Sequence, residues 1–97
     1  MTYNLEFHPK ALKAWKELDK AVQTRFKKKL SERLENPDVP SARLRGDLSR
    51  FFKIKLSSTG HRLVYEIIEQ ESTLFVISVG LRDDSEVYEA AKFNTDT

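Results

Sequence analysis

The sequence predicts an α+β domain with the element order β-α-α-β-β-β-α, in which an N-terminal helical hairpin packs on one face of an antiparallel sheet. Three observations support this prediction. The chain begins with a segment in which apolar and polar residues alternate, continues with two segments of helical periodicity, and then has three strand-like segments separated by short turns. Its 97 residues correspond to one domain that spans residues 1–97.

The first strand is predicted over residues 2–7, where apolar side chains alternate with polar ones. Apolar residues at helical spacing predict a helix over residues 10–18, and Pro9 suits its first turn. Asp19 is a candidate N-cap for a second helix, which Asn36 and Pro37 end. The apolar stripe of this second helix steps by four residues along Val22, Phe26, Leu30 and Leu34.

Three further strands are predicted over residues 51–56, 61–69 and 73–81. The joints between them are only a few residues long, so the strands are expected to form an antiparallel meander. A short last helix is predicted over residues 86–93, with Asp84 or Ser85 as its cap.

Composition excludes several classes of protein. No apolar run approaches the roughly 18 residues of a membrane span, and the N-terminus lacks the apolar core of a secretory signal. The absence of cysteine excludes disulfides and thiolate metal sites and suits a reducing cytoplasm. Residues 1–62 carry 15 Lys/Arg against 7 Asp/Glu, whereas residues 63–97 carry 2 against 8. A basic surface beside an acidic one predicts a polyanionic partner more strongly than the net charge of +2 does.

Strand alternation predicts a cluster of cations on the sheet face that the helices leave open. Phe52, Ile54 and Leu56 are expected to meet the helices, which places Lys53 and Lys55 on the open face. By the same alternation Arg62 can share that face.

The fourth strand extends this cluster under one condition. If Phe75, Ile77 and Val79 face the helices, Arg82 joins the three other cations on the open face. Glu66 shares the face of Arg62 but lies four residues further along, so it neutralises the cluster at most in part.

Clustered cations indicate a bound anion, and phosphate is the natural one. Arginine binds phosphate bidentately, lysine binds it as a point charge, and such groups stabilise the charge that develops during phosphodiester cleavage. The alternative is a solvated basic face with no bound partner, and the residues alone leave both interpretations open.

Long segments of the chain closely resemble the RelE toxins of bacterial toxin–antitoxin pairs. The similarity lies in ALKAWKELDKAVQTRFKKKLSERLENP, ARLRGDLSRFFKIKL, KIKLSSTGHRLVYEI and LFVISVGLRDDSEVYEAA, and it covers nearly the whole chain in order. The resemblance implies a RelE/ParE-like microbial RNase fold. It also implies a ribosome-dependent endoribonuclease that cuts mRNA in the ribosomal A site and that a RelB-type antitoxin neutralises.

The resemblance assigns roles in RNA cleavage to five residues: Lys53, Lys55, Arg62, Arg82 and Tyr88. It implies attack of a 2′-hydroxyl on the adjacent phosphate, with a lysine as general base and no metal or other cofactor. Arg62 would neutralise the phosphate and Arg82 the leaving oxygen, while Tyr88 would orient the nucleotide. The alternative for Tyr88 is an anchor of the last helix.

The sequence also suggests a wider surface for the ribosome. Arg45 resembles an RNA-contacting position of the family. The other expected contacts to 16S rRNA or mRNA on the 70S ribosome come from Arg25, Lys27, Lys28, Lys29 and Arg43.

His61 is a further candidate because related ribosome-dependent toxins cleave with a histidine. Alternation points it away from Arg62, which favours a turn or packing role instead. The chain departs from the family at Leu81 and Asp84, in a segment that is basic in its better-known member.

The resemblance implies that the protein is cytoplasmic, with no membrane partner, and contacts operator DNA only through its complex with the antitoxin. Two other functions stay open at this point. One is a gyrase-inhibiting toxin of the same fold, and the other is a module that binds RNA or antitoxin without cutting.

Overall fold

The computed structural model of the chain describes residues 2–44, 46 and 50–81. Two α-helices and four β-strands follow one another in these residues, in the order that the sequence predicts. They are β1 (Asn4–Phe7), α1 (Pro9–Lys16), α2 (Lys20–Glu35), β2 (Phe51–Leu56), β3 (His61–Ile68) and β4 (Thr73–Leu81). The predicted bounds of β2 and β4 agree with these to the residue. The predicted last helix lies outside the described residues.

Local sequence explains where the helices begin. Pro9 occupies the first turn of α1, and the His8 ring accepts a hydrogen bond from the Lys10 backbone N–H at 3.1 Å. His8 therefore has the structural role of an N-cap. Asp19 is the N-cap residue of α2, although its side chain makes no capping hydrogen bond there.

The four strands form one sheet in the order β1-β4-β3-β2. The last three strands are antiparallel neighbours, as predicted. β1 adds to the sheet beside β4 and runs parallel to it, so the sheet as a whole is mixed. The reason is the helical hairpin, which carries the chain over one face of the sheet from the β1 edge to the β2 edge.

The main core lies between this hairpin and the sheet. The buried stripe of α2, Val22, Phe26 and Leu30, packs with Trp15 of α1 against the apolar side chains of the strands. The strands contribute Phe52, Ile54, Leu56, Leu63, Tyr65, Leu74, Val76 and Val79. The predicted helix-facing trio of β2 is therefore confirmed, and Leu34 at the end of the stripe is only partly buried.

The predicted alternation of β4 is wrong in its first half. Leu74 and Val76 belong to the main core, and Phe75 and Ile77 pack on the opposite face. A β-bulge is the cause, because Val64 lies opposite Ser78 whereas the next residue, Tyr65, lies opposite Val76. Ile77 is the extra residue, so alternation shifts by one after it and Val79 faces the helices, as predicted.

The open face of the sheet is apolar at one end. Phe51, Val64 and Ile77 form a second buried cluster there, and Leu44 and Phe75 pack against it. The part of this face that can carry a polar site is therefore the other end, near the β2–β3 turn. In residues 2–44, 46 and 50–81, neither α-helix has the length and apolar character of a membrane span.

Candidate active site

Three cations lie on the open face of the sheet, beside the β2–β3 turn. Lys55 lies directly opposite Arg62 in the β2–β3 register, and Lys53 lies opposite Val64 one step along the same face. Side chains of directly opposed residues have Cβ atoms roughly 5 Å apart. We call Lys53, Lys55 and Arg62 the cationic row; Lys55 is exposed and the other two are half-buried.

The β2–β3 turn sets this register. Leu56 pairs with His61, and the four residues between them form the turn. Gly60 adopts a φ of 78°, in the left-handed region that favours glycine, and its N–H donates to the Leu56 carbonyl at 2.8 Å. A one-residue slip would move Arg62 to the other face.

β4 places two small residues beside the row. Gly80 lies opposite Arg62 on its β4 side and Ser78 lies opposite Val64. Gly80 has no side chain and Ser78 has a small one, so β4 contributes no bulky side chain at the two positions beside the row.

The backbone of the row is held from the helical side of the sheet. The Arg33 guanidinium, on α2, donates to the Lys53 carbonyl at 3.2 Å and to the Tyr65 hydroxyl at 2.9 Å. Tyr65 is fully buried, and its hydroxyl donates to the Pro37 carbonyl at 2.7 Å. Burial raises the pKa of the Tyr65 hydroxyl, and the hydrogen bond from Arg33 acts in the opposite direction. The sequence predicts no role for Arg33.

Glu66 shares the open face but lies far from the row. It pairs with Phe51 and Phe75, roughly 13 Å along the strand from Arg62 at about 3.3 Å per residue. Burial raises the pKa of its carboxyl, and the Arg50 guanidinium opposes that shift. Its charge is therefore placed to act on Arg50 rather than on Lys55 or Arg62.

His61 faces the helical side, as alternation predicted. It pairs with Leu56 and Leu81, on the opposite face from Arg62. Its Nδ1 lies 2.9 Å from the Thr59 hydroxyl in the turn. The structure therefore gives His61 a place in the turn and keeps it apart from the cationic row.

The basic residues of α2 divide between two surfaces. Arg25, Lys28 and Lys29 line a groove that also contains Lys55. Lys27 instead lines a smaller, mainly apolar groove beside β1. Arg43 lies over the Phe52 ring, 4.9 Å from its centroid, and its guanidinium is 3.6 Å from the Asp38 carboxylate.

Three of the residues that the sequence singles out, Arg45, Arg82 and Tyr88, lie outside the described residues. Within the described part of the chain, no three His, Asp or Glu side chains come together as metal ligands would.

Comparison with known proteins identifies the family. A family model described as the ParE toxin of type II toxin–antitoxin systems, parDE, matches residues 5–86. A relative from Escherichia coli K12, named mRNA interferase toxin RelE, is 48% identical over 91 residues, which are 94% of this chain and 95% of that protein.

The chain belongs to the RelE/ParE family of toxins. Solved RelE structures have the same fold. A mutant of the E. coli toxin RelE in the free state superposes with a TM-score of 0.88 at 46% identity, covering 96% of this chain and 97% of that one. RelE in the intact E. coli RelBE toxin–antitoxin complex gives a TM-score of 0.78 at 47% identity, covering 81% and 95%.

The matched segment contains the whole cationic row of this RelE/ParE toxin. Arg82 also falls within residues 5–86, whereas Tyr88 falls just beyond them. The catalytic roles of Lys53, Lys55, Arg62, Arg82 and Tyr88 stay predictions.

Proposed function

We propose that this RelE/ParE toxin is an mRNA interferase of a type II toxin–antitoxin system. The observation that carries the proposal is the placement of Lys55 opposite Arg62, with Lys53 on the same face. Three cations held together are stabilised most by an anion whose charge lies on oxygens at fixed positions, such as a phosphodiester. The 48% identity to a protein named mRNA interferase toxin RelE supports the same substrate.

The reaction that fits the cationic row is cleavage by the RNA itself. The 2′-oxygen forms a bond to the adjacent phosphorus while the bond from phosphorus to the 5′-oxygen breaks. The 2′-hydroxyl gives its proton to Lys53 or Lys55, and the leaving 5′-oxygen takes up a proton from water. The products are a 2′,3′-cyclic phosphate and a 5′-hydroxyl.

Each residue then has a distinct task. Arg62 neutralises the phosphoryl oxygens, where charge accumulates during the reaction. Arg82 is assigned to the leaving oxygen and Tyr88 to the nucleotide base, by stacking or through its hydroxyl. These two assignments rest on the family resemblance alone.

We further propose that the ribosome completes the site. The described residues place no histidine on the face of the row, and Glu66 lies near the other end of that face. Lysines transfer protons inefficiently near neutral pH, so naked RNA is a poor substrate. A ribosome that holds the mRNA in line for 2′-hydroxyl attack lowers the activation barrier by orienting the reacting groups. In favourable cases good orientation lowers a barrier by about 7–11 kcal/mol. Contacts of Arg43 and Arg45 with 16S rRNA or mRNA belong to this proposal.

A RelB-type antitoxin is the proposed protein partner, because relatives are solved in RelBE complexes. It has to cover a basic site, so we expect a partly acidic polypeptide with helical segments that folds on binding. Operator DNA is contacted only through that complex. Since ribosomes and their messages are cytoplasmic, the toxin acts in the cytoplasm.

The deciding experiment maps the 5′ ends of cellular transcripts after a brief induction of the toxin. Cuts within the codons of translated messages are expected. DNA breaks instead would assign the protein to the gyrase inhibitors of the same fold, and growth arrest with neither lesion would leave a non-cutting binder. A parallel time course on one purified message, with and without programmed ribosomes, tests ribosome dependence, and equal rates would contradict it.

A further inference from the structure

A groove lies at the end of β2, where this edge strand enters the β2–β3 turn. It has a volume of about 420 Å³ and lies between the middle of α2 and the end of β2 with its turn. We call it the β2-edge groove. Its lining residues are Arg25, Lys28, Lys29 and Glu32 from α2, and Lys55, Leu56, Ser57 and Ser58 from β2 and the turn.

The lining of this groove is strongly cationic. It contains four basic side chains and one carboxylate, that of Glu32. In the part of the chain that the structure describes, none of the four basic groups lies within 4.0 Å of a carboxylate oxygen. The groove therefore keeps a positive potential that an external anion can use.

Part of the groove is pre-organised. Arg25 donates a hydrogen bond from its guanidinium to the Ser58 hydroxyl, which joins α2 to the β2–β3 turn across the groove. A guanidinium has five N–H donors, so this bond leaves others for a ligand. Lys29 lies one helical turn from Arg25, on the same face of α2. The basic groups of α2 are thus presented together along one wall.

The groove is continuous with the cationic row. Lys55 lines the groove and also lies opposite Arg62 on the open face of the sheet. Its side chain is exposed and belongs to both surfaces. An anionic ligand that extends from the groove to the row around the edge of β2 can therefore contact basic side chains along its whole length.

We propose that the β2-edge groove binds the sugar–phosphate backbone of the RNA strand that leads onto the cationic row. This inference rests on the proposed function, because it takes the row to be where the RNA is cut. A single strand carries one charge per nucleotide, and contacts from Lys, Arg and Ser to phosphates position a strand without reading its sequence. The lining of the groove offers all three residue types.

An acidic polypeptide is the other class of ligand to consider. β2 is an edge strand, and an extended peptide could add to its free edge. RNA is favoured because the positive surface continues past that edge to Lys55 and Arg62. An RNA strand has a phosphate at every nucleotide, so it can contact basic side chains along the whole of this surface. Binding of an acidic antitoxin segment in the groove is an outcome that the test separates.

The test compares two double variants of the purified full-length toxin. Lys28→Gln/Lys29→Gln removes two charges from the groove. Lys13→Gln/Lys16→Gln removes the same charge from exposed positions of α1 that lie outside the groove. The probe is a short, fluorescently labelled RNA whose 2′-hydroxyls are methylated, so that binding is measured without cleavage. Anisotropy gives the affinity across a series of salt concentrations.

Because Lys28→Gln/Lys29→Gln loses two phosphate contacts, its affinity for the probe should fall on the order of 10-fold at about 0.1 M salt. The slope of log K against log salt should also become shallower by about 1.4. The α1 variant should stay within about twofold of the wild type, since salt screens exposed charges beyond roughly 10 Å. Equal losses in the two double variants would overturn the proposal, as would a wild type with no measurable affinity for the probe.

Two further measurements keep the result interpretable. If the Lys28→Gln/Lys29→Gln variant loses its circular dichroism signature, Arg25→Gln takes its place with the same expected direction. If the groove variant binds the cognate antitoxin more weakly but the RNA probe equally well, the groove is a peptide site and the proposal is wrong. Message cleavage by the wild type is assayed in parallel, and its failure would count against the proposed function while the binding result stands.

Discussion

Lys55 and Arg62 lie directly opposite each other on β2 and β3, with their side chains on the face of the sheet that the helices leave open. Two cations placed this way repel each other by roughly 1 kcal/mol in water, which the fold tolerates easily. The same placement gives a phosphodiester two positive partners at once. The pair also joins the two surfaces of the molecule that are best suited to RNA.

His61→Ala should leave cleavage of a ribosome-bound message within a few-fold of the wild type. The ring lies on the opposite face from Arg62 and beside Thr59 in the turn, so it has no route to the scissile phosphate. Single-turnover kinetics with saturating toxin provide the measurement. A loss on the order of 10² or more, typical of a general acid or base, would show that the ring turns to the open face on the ribosome.

Tyr65→Phe should destabilise the protein by about 1–3 kcal/mol, because it removes the buried donor to the Pro37 carbonyl and one of the two acceptors of the Arg33 guanidinium. Urea unfolding followed by tryptophan fluorescence measures the loss. Tyr3→Phe is the matched control, since the Tyr3 hydroxyl donates to the exposed Glu69 carboxylate at 3.2 Å. Equal midpoints for the two variants would contradict the structural role given to the Arg33–Tyr65–Pro37 network.

Glu66→Gln should raise the unfolding free energy relative to the wild type, and by more at pH 7 than at pH 4. Burial raises the pKa of this carboxyl in the folded state, so the folded protein holds a proton more tightly than the unfolded chain does. That contribution to stability is present at low pH and is lost as the pH rises through the folded-state pKa. Glutamine cannot ionise and avoids the loss.

Unfolding free energies of the wild type and of Glu66→Gln at both pH values test this prediction. The difference between the two proteins should be larger at pH 7 than at pH 4. A glutamine variant that is less stable than the wild type at pH 7 would mean that attraction to Arg50 outweighs burial.

Local pattern predicted most of the fold, because the signals were local. The bounds of β2 follow from strict alternation between Phe52 and Leu56, and the position of the turn follows from Gly60. The pairing of Lys55 with Arg62 then needs only a hairpin with a four-residue turn. The place of β1 beside β4 is a contact between residues about 70 positions apart, and no local pattern encodes it.

The missed features depend on tertiary structure in the same way. The extra residue at Ile77 lies in an apolar run, where alternation gives no sign of a bulge. In the sequence Arg33 is one of several basic residues of α2, and only the tertiary structure shows its hydrogen bonds to Tyr65 and to the Lys53 carbonyl. The separation of Lys27 from Lys28 and Lys29 likewise depends on which groove each helix face meets.

The central claim is that the cationic row cuts mRNA, and the single-turnover cleavage rate of Arg62→Ala on a ribosome-bound message tests it most directly. Loss of a group that stabilises charge in the transition state predicts a rate lower by about 10²–10³-fold. Binding to the antitoxin and the urea midpoint serve as controls for a folded variant. A well-folded Arg62→Ala toxin that cuts the message at the wild-type rate would contradict the account.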